Sequence, residues 1–129
     1  METDKQIIAT RLMGWEIRKR GRRVWNPVMG QEISGFSGYR DSLNYIDWAA
    51  PGYATGDIAA ALDVIAAMAK LGWGLIIIDK ETTFAHDDFD RNKDCGWHDF
   101  DPADAGSVAR AIGTAAAEVV RAMIRRREL

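Results

Sequence analysis

Residues 72–79 have the sequence Gly-Trp-Gly-Leu-Ile-Ile-Ile-Asp, so an apolar run, 73–78, is bounded by a glycine and an aspartate. A short, uninterrupted run of β-favouring residues is typical of a strand that is buried on both faces. We therefore predict that this segment is the central strand of a sheet. Helices must then cover both faces of that sheet, because an uncovered face would leave Ile76 or Ile77 in water.

Three segments with apolar residues at every third or fourth position predict helices. The first begins where Thr3 and Gln6 have the spacing of a capping box. The last carries an apolar stripe from Val108 to Met123, and arginines at its end offset the helix dipole. The predicted helices are residues 4–13, a segment that Thr55 caps and that runs to Leu71, and a segment that begins at Asp101-Pro102 and runs to the arginines at residues 125–127.

Shorter segments in which apolar and polar residues alternate predict further strands. A hairpin is expected between Ile17 and Val24, with Gly21 in its turn. Residues 37–54 contain three tyrosines and Trp48 without a clear period, which predicts a long aromatic loop. The other predicted strands are residues 32–36, 81–85 and 95–100.

These elements predict a single domain, residues 1–129, of the α+β class. Its mostly antiparallel sheet is covered by helices in an α/β/α sandwich. The length of 129 residues agrees with one domain, since compact domains most often have about 100 to 150 residues. A composition of 47% apolar and 28% charged residues excludes a wholly disordered chain.

The charge balance and the cysteine count narrow the class of protein. Seventeen basic and nineteen acidic residues give a net charge of -2, which excludes a polycation that coats nucleic acid. The single cysteine, Cys95, forms neither an intrachain disulfide nor a cysteine-based zinc site. Neither a secretion signal nor an apolar run of membrane-spanning length is expected, so we predict a cytoplasmic protein.

Three motifs resemble those of one family of small phage and prophage proteins. They are Met13-Gly14-Trp15, the run Tyr-Ala-Thr-Gly-Asp-Ile-Ala-Ala-Ala at residues 53–61, and the run Ala-Arg-Ala-Ile-Gly-Thr-Ala-Ala at residues 109–116. Together they are similar to the phage ABA-sandwich domain family, which has Trp and Cys where this chain has Leu62 and Gly113. The resemblance implies an α/β/α sandwich of phage origin and carries over no catalytic residue.

Aromatic and arginine side chains outside the predicted helix cores form the main candidate site. Trp, Tyr and Arg dominate interfaces and ligand pockets, and Arg binds phosphate while an aromatic ring stacks on a base. A simpler interpretation is that about half of the set belongs to the hydrophobic core. The residues predicted to bind a ligand are Trp25, Arg40, Tyr45, Trp48, Tyr53 and Trp97.

Two basic clusters are further candidates for contacts with phosphate. They are residues 18–23, next to Trp25, and residues 121–127. For each cluster alone we favour a simpler interpretation. The first is then a solubilising hairpin tip, and the second compensates the dipole of the last helix.

The polar connection between the last two predicted strands contains candidate metal ligands. The oxygen ligands from Asp88 to Asp99 have the spacing of a calcium loop, but Lys93 stands where glycine is expected. His86 and His98, together with Asp88 and Asp99, supply the donor atoms of a zinc or manganese enzyme. A solvated loop is the simpler interpretation, because the flanking segments are predicted strands and histidines on surface strands are more often ordinary polar residues. The sequence also has no hydrolase or phosphate-loop motif. We therefore predict no metal, no cofactor and no catalytic residue.

These observations predict a small, non-enzymatic phage or prophage protein that acts by binding in the host cytoplasm. One form of this hypothesis is sequestration of a cyclic-nucleotide-like immune signal by arginine and aromatic side chains. A second is inhibition of a host defence complex by an acidic segment, residues 87–104, that imitates nucleic acid. Two rival hypotheses are a metal-dependent enzyme and a structural virion protein. The small side chains Ala111, Ala115 and Ala122 predict a homodimer through the last helix.

Overall fold

The computed structural model describes residues 2–35 and 41–129, and these residues form four helices and six strands. The helices are α1 (Asp4–Arg11), α2 (Ser42–Ala49), α3 (Ile58–Lys70) and α4 (Ala105–Arg125). The strands are β1 (Glu16–Arg18), β2 (Arg23–Asn26), β3 (Gln31–Ser34), β4 (Trp73–Ile78), β5 (Glu81–His86) and β6 (His98–Asp99). Short 3-10 helices are present at Lys19–Gly21 and Phe89–Asp94. The predicted α+β class is confirmed.

The strands pair antiparallel, as predicted, and they form two sheets of three strands each. The first sheet has the order β1-β2-β3, in which Val24 lies between Ile17 and Ile33. The second sheet has the order β4-β5-β6, in which Trp73 lies opposite His86. The predicted hairpin between Ile17 and Val24 is therefore confirmed, and the predicted strands at 73–78 and 81–85 pair with each other in the second sheet.

α4 lies at the centre of the fold. Eleven of its 21 residues are buried, and it packs against α1, α3, β5 and β6. Most of the buried positions are alanine, and small side chains allow neighbouring elements to approach closely. Ala111, Ala115 and Ala122 are buried within the chain itself. The prediction that these three residues form a dimer interface is therefore wrong, because the chain's own elements already cover them.

β4 is an edge strand and not the central strand of its sheet. Ile76, Ile77 and Ile78 are 37%, 50% and 60% exposed. Helices cover the face that carries Trp73 and Phe84, whereas Ile76 and Ile78 lie on the opposite face. The prediction of a strand buried on both faces is wrong, because an apolar run shows that a segment is hydrophobic but not how many neighbours it has.

Side-chain caps determine where the helices begin. The capping box is confirmed, since the Gln6 amide donates to Thr3 Oγ1 at 3.1 Å and the Thr3 amide donates to Gln6 Oε1 at 3.0 Å. α3 begins later than predicted, because Asp57 rather than Thr55 accepts a backbone N–H of the first turn, at 3.2 Å. α4 also begins later, after Asp104, whose carboxylate accepts a backbone N–H at 2.9 Å.

The segment predicted to be a long aromatic loop, residues 37–54, contains α2. Asp41 caps this helix by accepting a hydrogen bond from the Asn44 amide at 2.9 Å. Ser42 and Ile46, one turn apart, are its buried residues. The loop prediction is wrong for this helix, because a segment of eight residues is too short for a helical period to be recognised.

Gly113 lies where the segment that follows α2 passes close to the backbone of α4. A Cβ at Gly113 would overlap the backbone of Tyr53 and Ala54. We expect Gly113→Ala to lower the free energy of unfolding by about 1 to 3 kcal/mol, because overpacking outweighs the gain in helix propensity. Urea denaturation measures the change.

The matched control is Gly106→Ala in the same helix. A Cβ at Gly106 would have no neighbour closer than 3.2 Å, and the atom at that distance is a side-chain oxygen. We expect this substitution to change stability much less. A Gly113→Ala protein as stable as Gly106→Ala would contradict the close packing around α4.

Candidate anion-binding site

The connection between β1 and β2 concentrates positive charge. We call residues 18–23 the basic tip, and its five cations are Arg18, Lys19, Arg20, Arg22 and Arg23. The antiparallel register places Arg18 opposite Arg23, so one short hairpin holds all five charges. Glu16 and Glu32 are the acids of this sheet, which leaves a net charge of +3 on residues 16–34 of a chain whose net charge is -2.

The backbone of the basic tip is strained. Lys19 and Arg20 have φ angles of 49° and 58°, and Gly21 follows with 84°. The left-handed conformation destabilises a residue other than glycine by about 1 to 2 kcal/mol. Glycine or asparagine would relieve that strain at both positions. Two cations therefore stand where they destabilise the fold, and strain of this kind is concentrated at functional sites.

Four cations of the basic tip line a shallow depression of about 430 Å³: Lys19, Arg20, Arg22 and Arg23. Within the described part of the chain, Arg20 and Arg22 make no ion pair. The Glu32 carboxylate lies 3.5 Å from Arg23 and 3.8 Å from Lys19, and its buried Oε1 accepts no hydrogen bond from the described residues. The depression thus presents guanidinium donors that nearby carboxylates do not satisfy.

Trp25 lies beside the basic tip on the charged face of β2. The Arg18 guanidinium lies 5.0 Å from the centre of the Trp25 ring, which is a cation–π distance. An ion pair with Glu16 at 2.8 Å holds the guanidinium group in place. A planar ligand group can stack on this Arg–Trp pair while a phosphate binds the neighbouring guanidinium groups.

Tyr45 and Trp48 lie on α2, the helix that contacts β2. Their ring centres are 6.4 Å apart, and Trp48 is 69% exposed. A Cβ at Gly21 would lie 4.0 Å from Ser42 Oγ, so the start of α2 adjoins the basic tip. These two predicted ligand residues are therefore on an element next to the tip, whereas Arg40 lies outside the described residues.

Tyr53 and Trp97 lie elsewhere in the fold. Tyr53 is only 2% exposed, and its hydroxyl accepts a hydrogen bond from Trp15 Nε1 at 3.3 Å. Burial raises the pKa of this hydroxyl. Tyr53 is thus a core residue and not part of a surface pocket, which corrects its predicted role. Trp97 precedes β6, in the other sheet from Trp25, and its side chain is 46% exposed.

Separate partners hold the two histidines of the candidate metal site apart. His86 Nδ1 accepts a hydrogen bond from the Asp88 amide at 2.9 Å, and its ring meets Trp73 edge-on at 5.1 Å. His98 Nε2 lies 3.3 Å from the Glu118 carboxylate. Among the residues that the structure describes, no three His, Cys, Asp or Glu side chains are arranged to hold a metal ion.

The acidic segment, residues 87–104, is partly neutralised by the chain's own arginines. Asp94 pairs with Arg126 at 2.8 Å, and Asp88 lies 3.3 Å from Arg91. The part that has calcium-loop spacing contains a 3-10 helix instead. This internal pairing makes the segment less uniformly negative than its sequence suggests.

The basic cluster at the end of α4 has a structural role. Arg121 pairs with Asp4 at 2.6 Å and donates to the Glu2 carbonyl at 3.2 Å. Arg126 pairs with Asp94. These contacts attach the N-terminal segment and the second 3-10 helix to α4, so this cluster is the weaker candidate for phosphate binding.

Sequence periodicity does not reveal the contacts of Glu118. This residue accepts a hydrogen bond from the Gly96 amide and lies beside His98, which ties the loop before β6 to α4. Burial, and the Glu118 carboxylate, raise the pKa of the nearby Cys95 thiol, which opposes formation of a nucleophilic thiolate. The sequence does contain one indication that Glu118 has a specific partner, since it is the only acidic residue in the apolar stretch 111–120.

Comparisons with known proteins do not assign this chain to a family. No protein-family model matches it, and no curated protein or solved structure shows significant similarity. The resemblance to the phage ABA-sandwich family therefore stays a prediction. Within residues 2–35 and 41–129, no helix combines the length and apolarity needed to cross a bilayer.

The substitution Arg20→Gly tests the strain in the basic tip. We expect it to raise the free energy of unfolding by about 1 kcal/mol, because glycine adopts the left-handed conformation without steric strain. Arg22→Gly is the matched control, since it removes the same charge at a φ of -88°, where added chain entropy in the unfolded state destabilises the fold. Urea denaturation measures both changes, and equal changes in the two variants would show that the tip is not strained.

Proposed function

We propose that the protein binds a phosphate-bearing anion of the nucleotide class at the basic tip. The observation that carries this proposal is the depression lined by arginines, in which Arg20 and Arg22 make no ion pair within the described part of the chain. Guanidinium groups with unsatisfied donors bind phosphate oxygens through bidentate, charge-assisted hydrogen bonds.

The surroundings of the depression favour a nucleotide over an inorganic ion. Its volume of about 430 Å³ lies within the usual range of small-molecule sites, about 300 to 1,000 Å³. The Arg18–Trp25 pair offers a planar surface for a base next to the groups that would bind phosphate. The net charge of -2 argues against general binding of long nucleic acids, because the protein as a whole does not attract a polyanion.

The chemistry of the basic tip supports binding without turnover. Residues 18–23 are arginine, lysine and glycine. These residues present hydrogen-bond donors for phosphate and none of the carboxylate, imidazole or thiol groups that most often act as catalytic acid, base or nucleophile. Sequestration of the ligand is the function that follows. The resemblance to phage proteins makes a cyclic-nucleotide-like immune signal the first ligand class to test, in which case the protein counters host defence.

Calorimetric titration with cyclic dinucleotides, cyclic trinucleotides and pyrophosphate tests this proposal. We expect the double variant Arg20→Ser, Arg22→Ser to lose at least about tenfold in affinity, because a hydrogen bond to a charged group contributes about 1.5 to 3 kcal/mol. The control double variant is Lys80→Ser, Lys93→Ser. It removes the same charge from exposed positions in the other half of the fold.

The outcomes separate the hypotheses. Binding that weakens with salt, depends on the two arginines and returns the ligand intact supports sequestration. Chemical change of the ligand would instead indicate an enzyme. Equal affinity of the two double variants would remove the basic tip as the site, and failure of every phosphate compound to bind would contradict the proposal.

A further inference from the structure

The outer edge of β4 lacks the features by which soluble proteins protect edge strands. Among the described residues, no strand pairs with this edge. The strand Trp73–Ile78 contains no charge and no proline, and its pairing with β5 has no bulge. Natural edge strands usually carry lysine, proline or a bulge that prevents further pairing. An unprotected apolar edge indicates that another strand covers it.

α3 extends this apolar surface away from the strand. α3 packs against β4 while α4 packs against β5 and β6, so α3 lies over the edge of the sheet. Ile58 and Leu62, one turn apart on α3, are both exposed. Ala69 and Ile76 line one groove of about 440 Å³, which joins the end of the helix to the strand. We call β4 together with Ile58, Leu62 and Ala69 the β4 edge surface.

We propose that a second copy of this chain covers the β4 edge surface. A two-fold axis perpendicular to the sheet, lying just outside the free edge of β4 at the level of the strand's midpoint, pairs the strand antiparallel with its own copy. The β4–β6 sheet of one copy and the β4–β6 sheet of the other then form one continuous sheet of six strands. The same axis keeps both α3 helices on one side of the joined sheet, where their exposed apolar residues face each other.

Self-association accounts for both parts of the surface with one symmetry operation. An unrelated partner would need an uncharged strand and an apolar helix in the same relative position. A copy of this chain supplies both. The pairing also covers Ile77, which is half exposed although it points towards the helix side of the sheet.

The size of the β4 edge surface corresponds to a weak dimer. β4 has six residues and α3 has thirteen, so each is about 20 Å long. With the helix layer about 10 Å from the sheet, the footprint measures roughly 20 Å by 20 Å. This footprint of roughly 400 Å² per partner lies below the roughly 600 to 1,000 Å² of standard specific interfaces and in the range of weak, transient ones. We therefore expect a dissociation constant on the order of 100 µM.

Sedimentation velocity over about 1 to 500 µM protein tests the dimer. We expect the wild-type mass to rise towards twice the chain mass of 14.4 kDa. Ile77→Lys on the strand and Leu62→Lys on the helix should each raise the dissociation constant at least tenfold, because each places a charge in the interface. Val28→Lys is the control, since Val28 is 64% exposed and Leu62 59%, and Val28 lies in the turn between β2 and β3.

The test uses two lysine variants, Ile77→Lys and Leu62→Lys, so that its result does not depend on whether one of them fails to fold. Circular dichroism shows whether each variant folds, and Leu62→Lys alters only an exposed helix position if Ile77→Lys disturbs the strand. A wild-type protein that is monomeric at the highest concentration overturns the proposal. A dimer that both lysine variants leave intact also overturns it, and a mass that grows beyond two chains overturns the two-fold arrangement. Ligand binding at the basic tip is a separate measurement.

Discussion

The burial of α4 is the constraint on which the rest of the structure depends. This helix is lined by small side chains and packs against α1, α3 and the sheet of β4–β6. Gly113 lets the segment after α2 pass directly across its backbone. Arg121 and Glu118 attach the N-terminal segment and the loop before β6 to the same helix. The interior is therefore organised around one element, whose side chains are used within the chain.

Both proposed binding surfaces are exposed and lie outside the core that this helix organises. The basic tip belongs to the β1–β3 sheet, which contacts α2, and the outer edge of β4 lies beside α3. A strained, charged hairpin and an exposed apolar strand each destabilise an isolated chain. The core around α4 offsets these losses, and binding of a ligand or a second copy would add stability by occupying the same surfaces. The core is well packed, whereas the basic tip and the edge of β4 are unfavourable to the stability of the isolated chain. This contrast is the reason for proposing that these two surfaces bind partners.

Local signals in the sequence predict local structure, whereas they do not determine which elements become neighbours. The capping box of Thr3 and Gln6 and the stripe of the last helix depend on residues within a few turns, and both are present. The apolar run Trp73–Ile78 is different, because the same pattern suits a central strand and an edge that a partner covers. Tyr53 also could not be placed from the sequence, since its contact with Trp15 joins residues 38 positions apart. The charge of the basic tip is visible in the sequence, but its backbone strain is not.

Hydrogen exchange followed by mass spectrometry measures most directly whether α4 organises the fold. If it does, the amides of residues 109–123 exchange more slowly than any other segment and only through global unfolding. The β1–β3 sheet then exchanges faster, through local opening that leaves α4 protected. Exchange in α4 that is faster than in either sheet would contradict this account.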